Sequence, residues 1–117
     1  MKIKFKFWFP DTKKMSIAYT LDELLDGGWY DIPKHITLQY TGLKDKKGKE
    51  IYEGDIVNLN HWNSSDLFDY SKPFIVKWEH GQVNFKQGNF NYFIGGLVGK
   101  LDIKIIGNIY ENSKLIN

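Results

Sequence analysis

The feature that most constrains the fold is the strict alternation in the segment "KIKFKFWF", which runs from Lys2 to Phe9. Apolar side chains recur at every second position, and lysines occupy most of the positions between them. Because successive side chains of a strand point to opposite faces, this spacing predicts a strand with one buried and one solvated face. The turn residues "PDTKK" follow, so we expect Met15 to Tyr19 to return as the second strand of a hairpin.

One short helix is predicted directly after this hairpin. Thr20 and Glu23 have the spacing of a capping box, in which each side chain accepts a hydrogen bond from the other residue's backbone amide. The leucines that follow fall on one helical face, and the Gly-Gly pair at 27–28 ends the pattern.

The rest of the chain consists mainly of short apolar runs separated by turn residues. From Ile56 onward these runs are "IVNLN", "PFIVKWE", "QVNFK", "NYFIGG" and "LDIKIIGNIY". Short strands at such spacing predict a small antiparallel barrel or sandwich. We therefore expect a mainly β protein with the hairpin and helix over residues 1–35 and the barrel over residues 36–117, together forming one compact unit.

The composition excludes several kinds of site. The chain has no cysteine, which rules out disulfides, thiolate zinc sites and cysteine nucleophiles. His35, His61 and His80 are scattered without a metal-ligand spacing, so we expect no metal and no cofactor. The N-terminus lacks the continuous apolar segment of a signal peptide, and no run approaches a membrane span, so we expect a soluble cytoplasmic protein.

The segment "YEGDIV" raises the question of acid–base chemistry. Glu53 and Asp55 flank Gly54, and carboxylates two positions apart on an extended chain share a face. The alternative is a turn in which Gly54 takes a positive φ and Asp55 accepts hydrogen bonds from nearby amides. We favour the turn, because no nucleophile or metal partner stands at a diagnostic spacing.

Four lysines precede this segment in "KDKKGKE". Lys44, Lys46, Lys47 and Lys49 are candidate contacts for the phosphates of a nucleic acid. The alternative is a solvated turn between two strands, which we favour because Asp45, Gly48 and Glu50 are interspersed among the lysines. The net charge of +2 permits nucleic-acid binding without requiring it.

Aromatic residues suggest a surface for self-association. Trp8 falls on the lysine face of the first strand and is followed directly by Phe9, while Trp62 lies in a polar segment. A two-stranded hairpin covers little apolar surface by itself, and exposed apolar patches mark interfaces. The candidate interface residues are Phe7, Trp8, Phe9 and Trp62; the alternative is that the hairpin folds across the barrel of its own chain.

Two longer segments resemble a known family. The stretch "LQYTGLKDKKGKEIYEGDIV", followed by "IIGNIYENSKLI" near the C-terminus, is similar to the YopX family of phage and prophage proteins. The opening "KIKFKFWFPDTKKM" resembles the N-terminal hairpin of that family. The resemblance implies a mostly β protein whose second part is an SH3-like small barrel, and a viral or prophage origin. It brings no catalytic residues to this chain.

The sequence therefore favours a binding protein over an enzyme. We expect a non-enzymatic, homo-oligomeric interaction or assembly module with no small-molecule substrate and no membrane partner. The alternative is a nucleic-acid-binding accessory protein that uses the barrel surface and its lysines.

Overall fold

The structure, a computed structural model, describes residues 2–27, 32–61, 70–79, 81–93 and 101–116. It is mainly β, as the sequence predicts, with one short α-helix. The strands are β1 (Lys4–Phe9), β2 (Lys14–Met15), β3 (Tyr19–Thr20), β4 (Ile36–Lys44), β5 (Glu50–Tyr52), β6 (Asp55–His61), β7 (Phe74–Glu79), β8 (Gln82–Gln87), β9 (Phe90–Phe93) and β10 (Leu101–Asn108). The helix α1 spans Leu21–Asp26, and a short 3-10 helix spans Ser113–Leu115.

The strands form two antiparallel sheets of five strands each. The first has the order β2-β1-β4-β5, with β3 also paired to β1, and the second has the order β10-β6-β7-β8-β9. The predicted hairpin is present, but its return strand is divided: Met15 in β2 pairs with Trp8, Tyr19 in β3 pairs with Phe5, and residues 16–18 between them are not in a strand. The hairpin and β4 share the first sheet, so this sheet extends across residue 35, where the sequence suggested a division.

The helix begins as the capping box predicts. The Glu23 amide donates to the Thr20 hydroxyl oxygen at 3.2 Å, and the Thr20 amide donates to the Glu23 carboxylate at 3.0 Å. Gly27 forms the C-cap. Within the described residues, no helix has the length and apolar character that crossing a bilayer requires.

The core lies between the strands of the second sheet and β5. Its fully buried members include Ile51, Val57, Phe74, Val76 and Phe85, each with no measurable exposed fraction. These side chains come from β5 through β8, so the apolar runs of the sequence become the inner face of the sheet. The interior positions of Ile51 and of the equally buried Ile56 follow from the change from charged to apolar residues after Lys49.

The lysine face of β1 is only partly solvated, whereas the sequence pattern predicts an open face. Lys4 and Lys6 are half-buried, with their ammonium groups 5.7 and 4.4 Å from the ring centroids of Tyr40 and Tyr52 respectively. Lysine stems can pack on aromatic rings while their charged ends stay near water or an acidic partner. The lysine face of β1 is therefore partly covered by aromatic rings, while Lys2, just before the strand, is exposed.

Trp8 is covered by its own chain rather than exposed on the lysine face. Its exposed fraction is 7% because its ring stacks on Tyr110, with the centroids 5.6 Å apart. Phe7 is 5% exposed on the opposite face, where it contacts Tyr19 and His35, and Phe9 is half-buried. The expectation that Phe7 and Trp8 form an open surface is wrong, since the C-terminal segment and the residues after β2 already cover them.

Candidate functional site

The turn between β5 and β6 positions the carboxylate of Asp55. Gly54 adopts a φ of +88°, and a Cβ atom at this position would lie 3.0 Å from the Tyr110 ring. The Tyr52 amide donates to Oδ2 of Asp55 at 2.8 Å. The turn interpretation of "YEGDIV" is therefore confirmed, with glycine required both by backbone conformation and by close packing.

The motif "GNIYEN" near the C-terminus folds into a compact loop against this turn. The Asn108 side-chain oxygen accepts hydrogen bonds from the amides of Tyr110 and Glu111, at 3.0 and 2.9 Å. The Asn112 side-chain oxygen accepts from the Asn108 amide at 3.1 Å, where a Cβ on Gly107 would approach it to 2.6 Å. Side-chain bonds to local amides hold such loops in one shape, and this one places Tyr110 on Trp8.

A cleft of about 240 Å³ lies between the first sheet, this loop and β6. Its polar lining comes from five separate parts of the chain. The residues that carry its charges and hydrogen-bonding groups are Lys6, Lys49, Tyr52, Asp55, Asn108, Glu111 and Asn112.

Burial controls the protonation of two groups in this cleft. Loss of water around Asp55 raises the pKa of its carboxyl to about 6, although Lys6, Lys49 and the Tyr52 amide act in the opposite direction. Burial also raises the pKa of the Tyr52 phenol, and the nearby Glu50 carboxylate adds to that shift. A largely buried acid with a raised pKa, in a cleft that also holds two ammonium groups, is a candidate functional group.

The lysine-rich turn forms a second, separate surface. Lys44, Lys46, Lys47 and Lys49 are exposed, as the turn interpretation predicts. Among these four lysines, only Lys49 also lines the cleft between the sheets.

Buried Asp45 fixes the shape of this turn. Its Oδ1 accepts hydrogen bonds from the amides of Lys47 and Lys49, both at 2.9 Å, and its Oδ2 accepts from Ile105 at 3.4 Å. The Lys46 amide also donates to the Ile103 carbonyl at 2.9 Å, so the turn is attached to β10. Burial acts to raise the pKa of Asp45, but these backbone bonds outweigh burial and hold it below its ordinary value.

An apolar patch is exposed beside the helix. Ile3 on the segment before β1 and Leu21 and Leu25 on α1 have exposed fractions of 43%, 39% and 73%. Leu21 and Leu25 are four positions apart and share a helical face, and the Leu21 amide donates to the Ile3 carbonyl at 3.1 Å. We call these three residues the helix patch.

The three histidines and Trp62 are the remaining candidate residues, and the structure describes only some of their side chains. His35 has Nδ1 2.9 Å from the Pro33 carbonyl oxygen, and its ring lies against Phe7. Trp62 and His80 lie outside the described residues, as does the side chain of His61. Within the residues described, no group of three or more His, Asp or Glu side chains is arranged to hold a metal ion.

Sequence reasoning identified Asp55 but missed the cleft around it. Lys6 stood within an alternating strand, and Asn108 and Asn112 stood near the C-terminus, with no spacing that linked them to Asp55. The available signal was the pair of asparagines in "GNIYEN", since asparagines beside a glycine indicate a side-chain-stabilised turn.

Comparison with known proteins supports the resemblance seen in the sequence. A family model described as YopX protein matches residues 4–117. The chain is similar to the crystal structure of protein EF1440 from Enterococcus faecalis, with a TM-score of 0.62 and 20% sequence identity over 98% of each chain. At that identity the likeness shows the fold alone. No curated protein matches the chain.

Proposed function

This chain belongs to the YopX family, and we propose that it is a non-enzymatic interaction module that self-associates through the helix patch. The observation that carries the proposal is that α1 has no fully buried residue: Leu24 is half-buried, and Leu25 is 73% exposed. Isolated helices shorter than about 12 residues are marginal in water. A six-residue helix with an uncovered apolar face gains stability from a partner that covers it.

The occupant that we propose for the helix patch is a second copy of this chain. The shallow groove beside the patch is lined by Lys2 and Asp22 as well as by Ile3 and Leu21. In a two-fold symmetric contact the same surface meets itself, so the Lys2 ammonium of one copy can face the Asp22 carboxylate of the other. An apolar centre with opposite charges at its edge is therefore self-complementary.

Sedimentation velocity on matched variants tests this interface. Leu25→Lys keeps a good helix former in α1 but places a charge in the helix patch, so we expect association to weaken by about tenfold or more. Leu115→Lys is the control, because Leu115 is another exposed apolar residue, at 43%, in the C-terminal 3-10 helix. Equal association by wild type and both variants would contradict the proposed interface.

The non-enzymatic part of the proposal is supported by the structure of the "YEGDIV" segment. Its two carboxylates belong to a turn, in which Asp55 accepts a hydrogen bond from the Tyr52 backbone amide. A cytoplasmic location in a host cell and a phage or prophage origin also belong to this proposal, supported by the family.

The second candidate function is nucleic-acid binding by the lysine-rich turn. The observation that favours it is the anchoring of the turn by Asp45, which presents exposed lysines from a fixed backbone. Phosphate contacts release counterions, so binding to generic DNA or RNA should weaken steeply with salt. Replacing Lys46 and Lys47 by Ser should reduce both affinity and salt dependence, whereas replacing the exposed Lys14 and Lys34 should not.

The outcome of this titration separates the two functions. Salt-sensitive binding that is lost in the Lys46/Lys47 variant would favour the nucleic-acid function. Absence of binding at low salt would remove it while leaving self-association unaffected.

A further inference from the structure

The cleft between the sheets contains two ammonium groups that form no ion pair with the described residues, although both lie close enough to Asp55 to lower its pKa. Lys4 forms an ion pair with Glu50 at 2.6 Å, and Lys86 forms one with Glu79. Lys6 and Lys49 form none with any residue in the described part of the chain. Lys6 is half-buried, and its ammonium group lies 4.4 Å from the centroid of the Tyr52 ring, which fixes its position.

Asp55 offers a further polar atom in the lining of the same cleft. Its Oδ2 accepts a hydrogen bond from the Tyr52 amide, whereas its Oδ1 accepts none from the described residues. A carboxyl that is protonated donates one hydrogen bond while its other oxygen continues to accept. The protonated form of Asp55 can therefore bind the Tyr52 amide and donate to a ligand at the same time.

We propose that this cleft binds a small oxyanion, such as phosphate or the carboxylate of a small metabolite, through Lys6, Lys49 and a proton on Asp55. Unpaired ammonium groups and a carboxylic acid hydrogen are the donors that an oxyanion requires. The cleft, at about 240 Å³, also has room for such a ligand, since one water molecule takes about 30 Å³.

Binding and protonation are coupled in this site. An ionised Asp55 repels an anion, so binding takes up a proton, and the bound anion in turn raises the affinity of Asp55 for that proton. The groups that face Asp55 are Lys6 from β1, Lys49 and Asp45 from the β4–β5 turn, Tyr52 from β5 and Glu111 from the C-terminal loop. Because burial raises the pKa of Asp55 to about 6, oxyanion affinity should increase as the pH falls towards that value.

The test is an NMR titration of the full chain, labelled with nitrogen-15, using sodium sulfate as the probe at constant ionic strength. Sulfate keeps the same charge over this range, so a change in affinity reports on the protein. We expect saturable shifts of the Lys6, Tyr52 and Asp55 amides, and an affinity more than about tenfold higher at about pH 5.5 than at about pH 7.5. Asp55→Asn should bind with an affinity that does not change with pH.

Lysine variants establish which charges bind the probe. Lys49→Met should weaken sulfate binding by about tenfold or more without unfolding the protein, because Lys49 is exposed. Lys6→Met should also weaken sulfate binding. If this variant fails to fold, Lys49→Met still tests the proposal. Lys34→Met, which removes an exposed lysine that does not line the cleft, is the matched control.

Three results would overturn the proposal. The first is the absence of saturable shifts at pH values below the pKa of Asp55. The second is an equal effect of Lys34→Met and Lys49→Met, which indicates diffuse attraction rather than a site. The third is tighter binding of the free amino acid glycine than of sulfate. That result would mean that an ionised Asp55 binds the ammonium group of a zwitterion. None of these results bears on self-association, because the helix patch shares no residue with the cleft.

Discussion

Replacing Asp55 by Asn should stabilise the protein at neutral pH but not at acid pH. Burial raises the pKa of this carboxyl from 3.8 to about 6 in the folded chain. The folded state therefore binds the proton more tightly than the unfolded state. The stability that protonation of Asp55 contributes is complete at pH values below the pKa of Asp55 in the unfolded chain. It is lost as the pH rises through the pKa of Asp55 in the folded chain.

The size of the effect follows from the shift in pKa. Each unit corresponds to about 1.36 kcal/mol, so full ionisation of Asp55 costs the folded state about 3 kcal/mol. Asparagine has nearly the same shape, keeps an oxygen that can accept the Tyr52 amide, and carries no charge. The gain in free energy of unfolding from Asp55→Asn should therefore grow by about 2 kcal/mol between about pH 4.5 and about pH 8.

Urea denaturation of both proteins across this range measures the gain directly. Glu111→Gln is the matched control, because Glu111 lines the same cleft but is exposed, and its change should stay within about 0.5 kcal/mol. The reasoning fails if the gain does not grow with pH. It also fails if wild type becomes the more stable protein at high pH, which would mean that Lys6 and Lys49 stabilise the carboxylate more than burial destabilises it.

Three further substitutions test the packing around the site by thermal or urea unfolding. Trp8→Ala should cost about 3 kcal/mol or more, because it removes a buried ring that stacks across the chain, and a loss under about 1 kcal/mol would contradict that packing. Gly54→Ala should lower the free energy of unfolding more than Gly48→Ala. Both glycines have a positive φ, but of the two only Gly54 has a neighbour within 4 Å of the added Cβ. Equal losses of stability would refute the close-packing argument. Asp45→Ala should lower the free energy of unfolding by about 2 kcal/mol at pH 7 and by less as the pH falls. The reason is that the pKa of Asp45 is lowered in the folded chain, so its ionised form is the one that stabilises the fold. A loss of stability independent of pH would contradict this reasoning.

Local chemistry made much of the fold predictable from the sequence. The capping box at Thr20, the positive φ at Gly54 and the buried positions of Ile51 and Ile56 each depend on residues only a few positions apart. Turns and caps are determined by such neighbours, because their hydrogen bonds connect nearby amides and side chains.

Contacts between distant segments could not be predicted in the same way. The alternation in β1 shows that Lys6 and Trp8 share a face, but it cannot show that Tyr52 and Tyr110 cover that face. Period-2 patterning records which side chains are neighbours on a strand and carries no information on what packs against them. The same limit applies to the cleft, whose lining joins residues near both ends of the chain.

Light scattering on the wild-type protein at micromolar concentration, repeated after tenfold dilution, tests self-association most directly. The proposed interface predicts a mass above that of one 13.7 kDa chain, decreasing towards it on dilution. A mass equal to one chain, unchanged by dilution, would contradict the central claim.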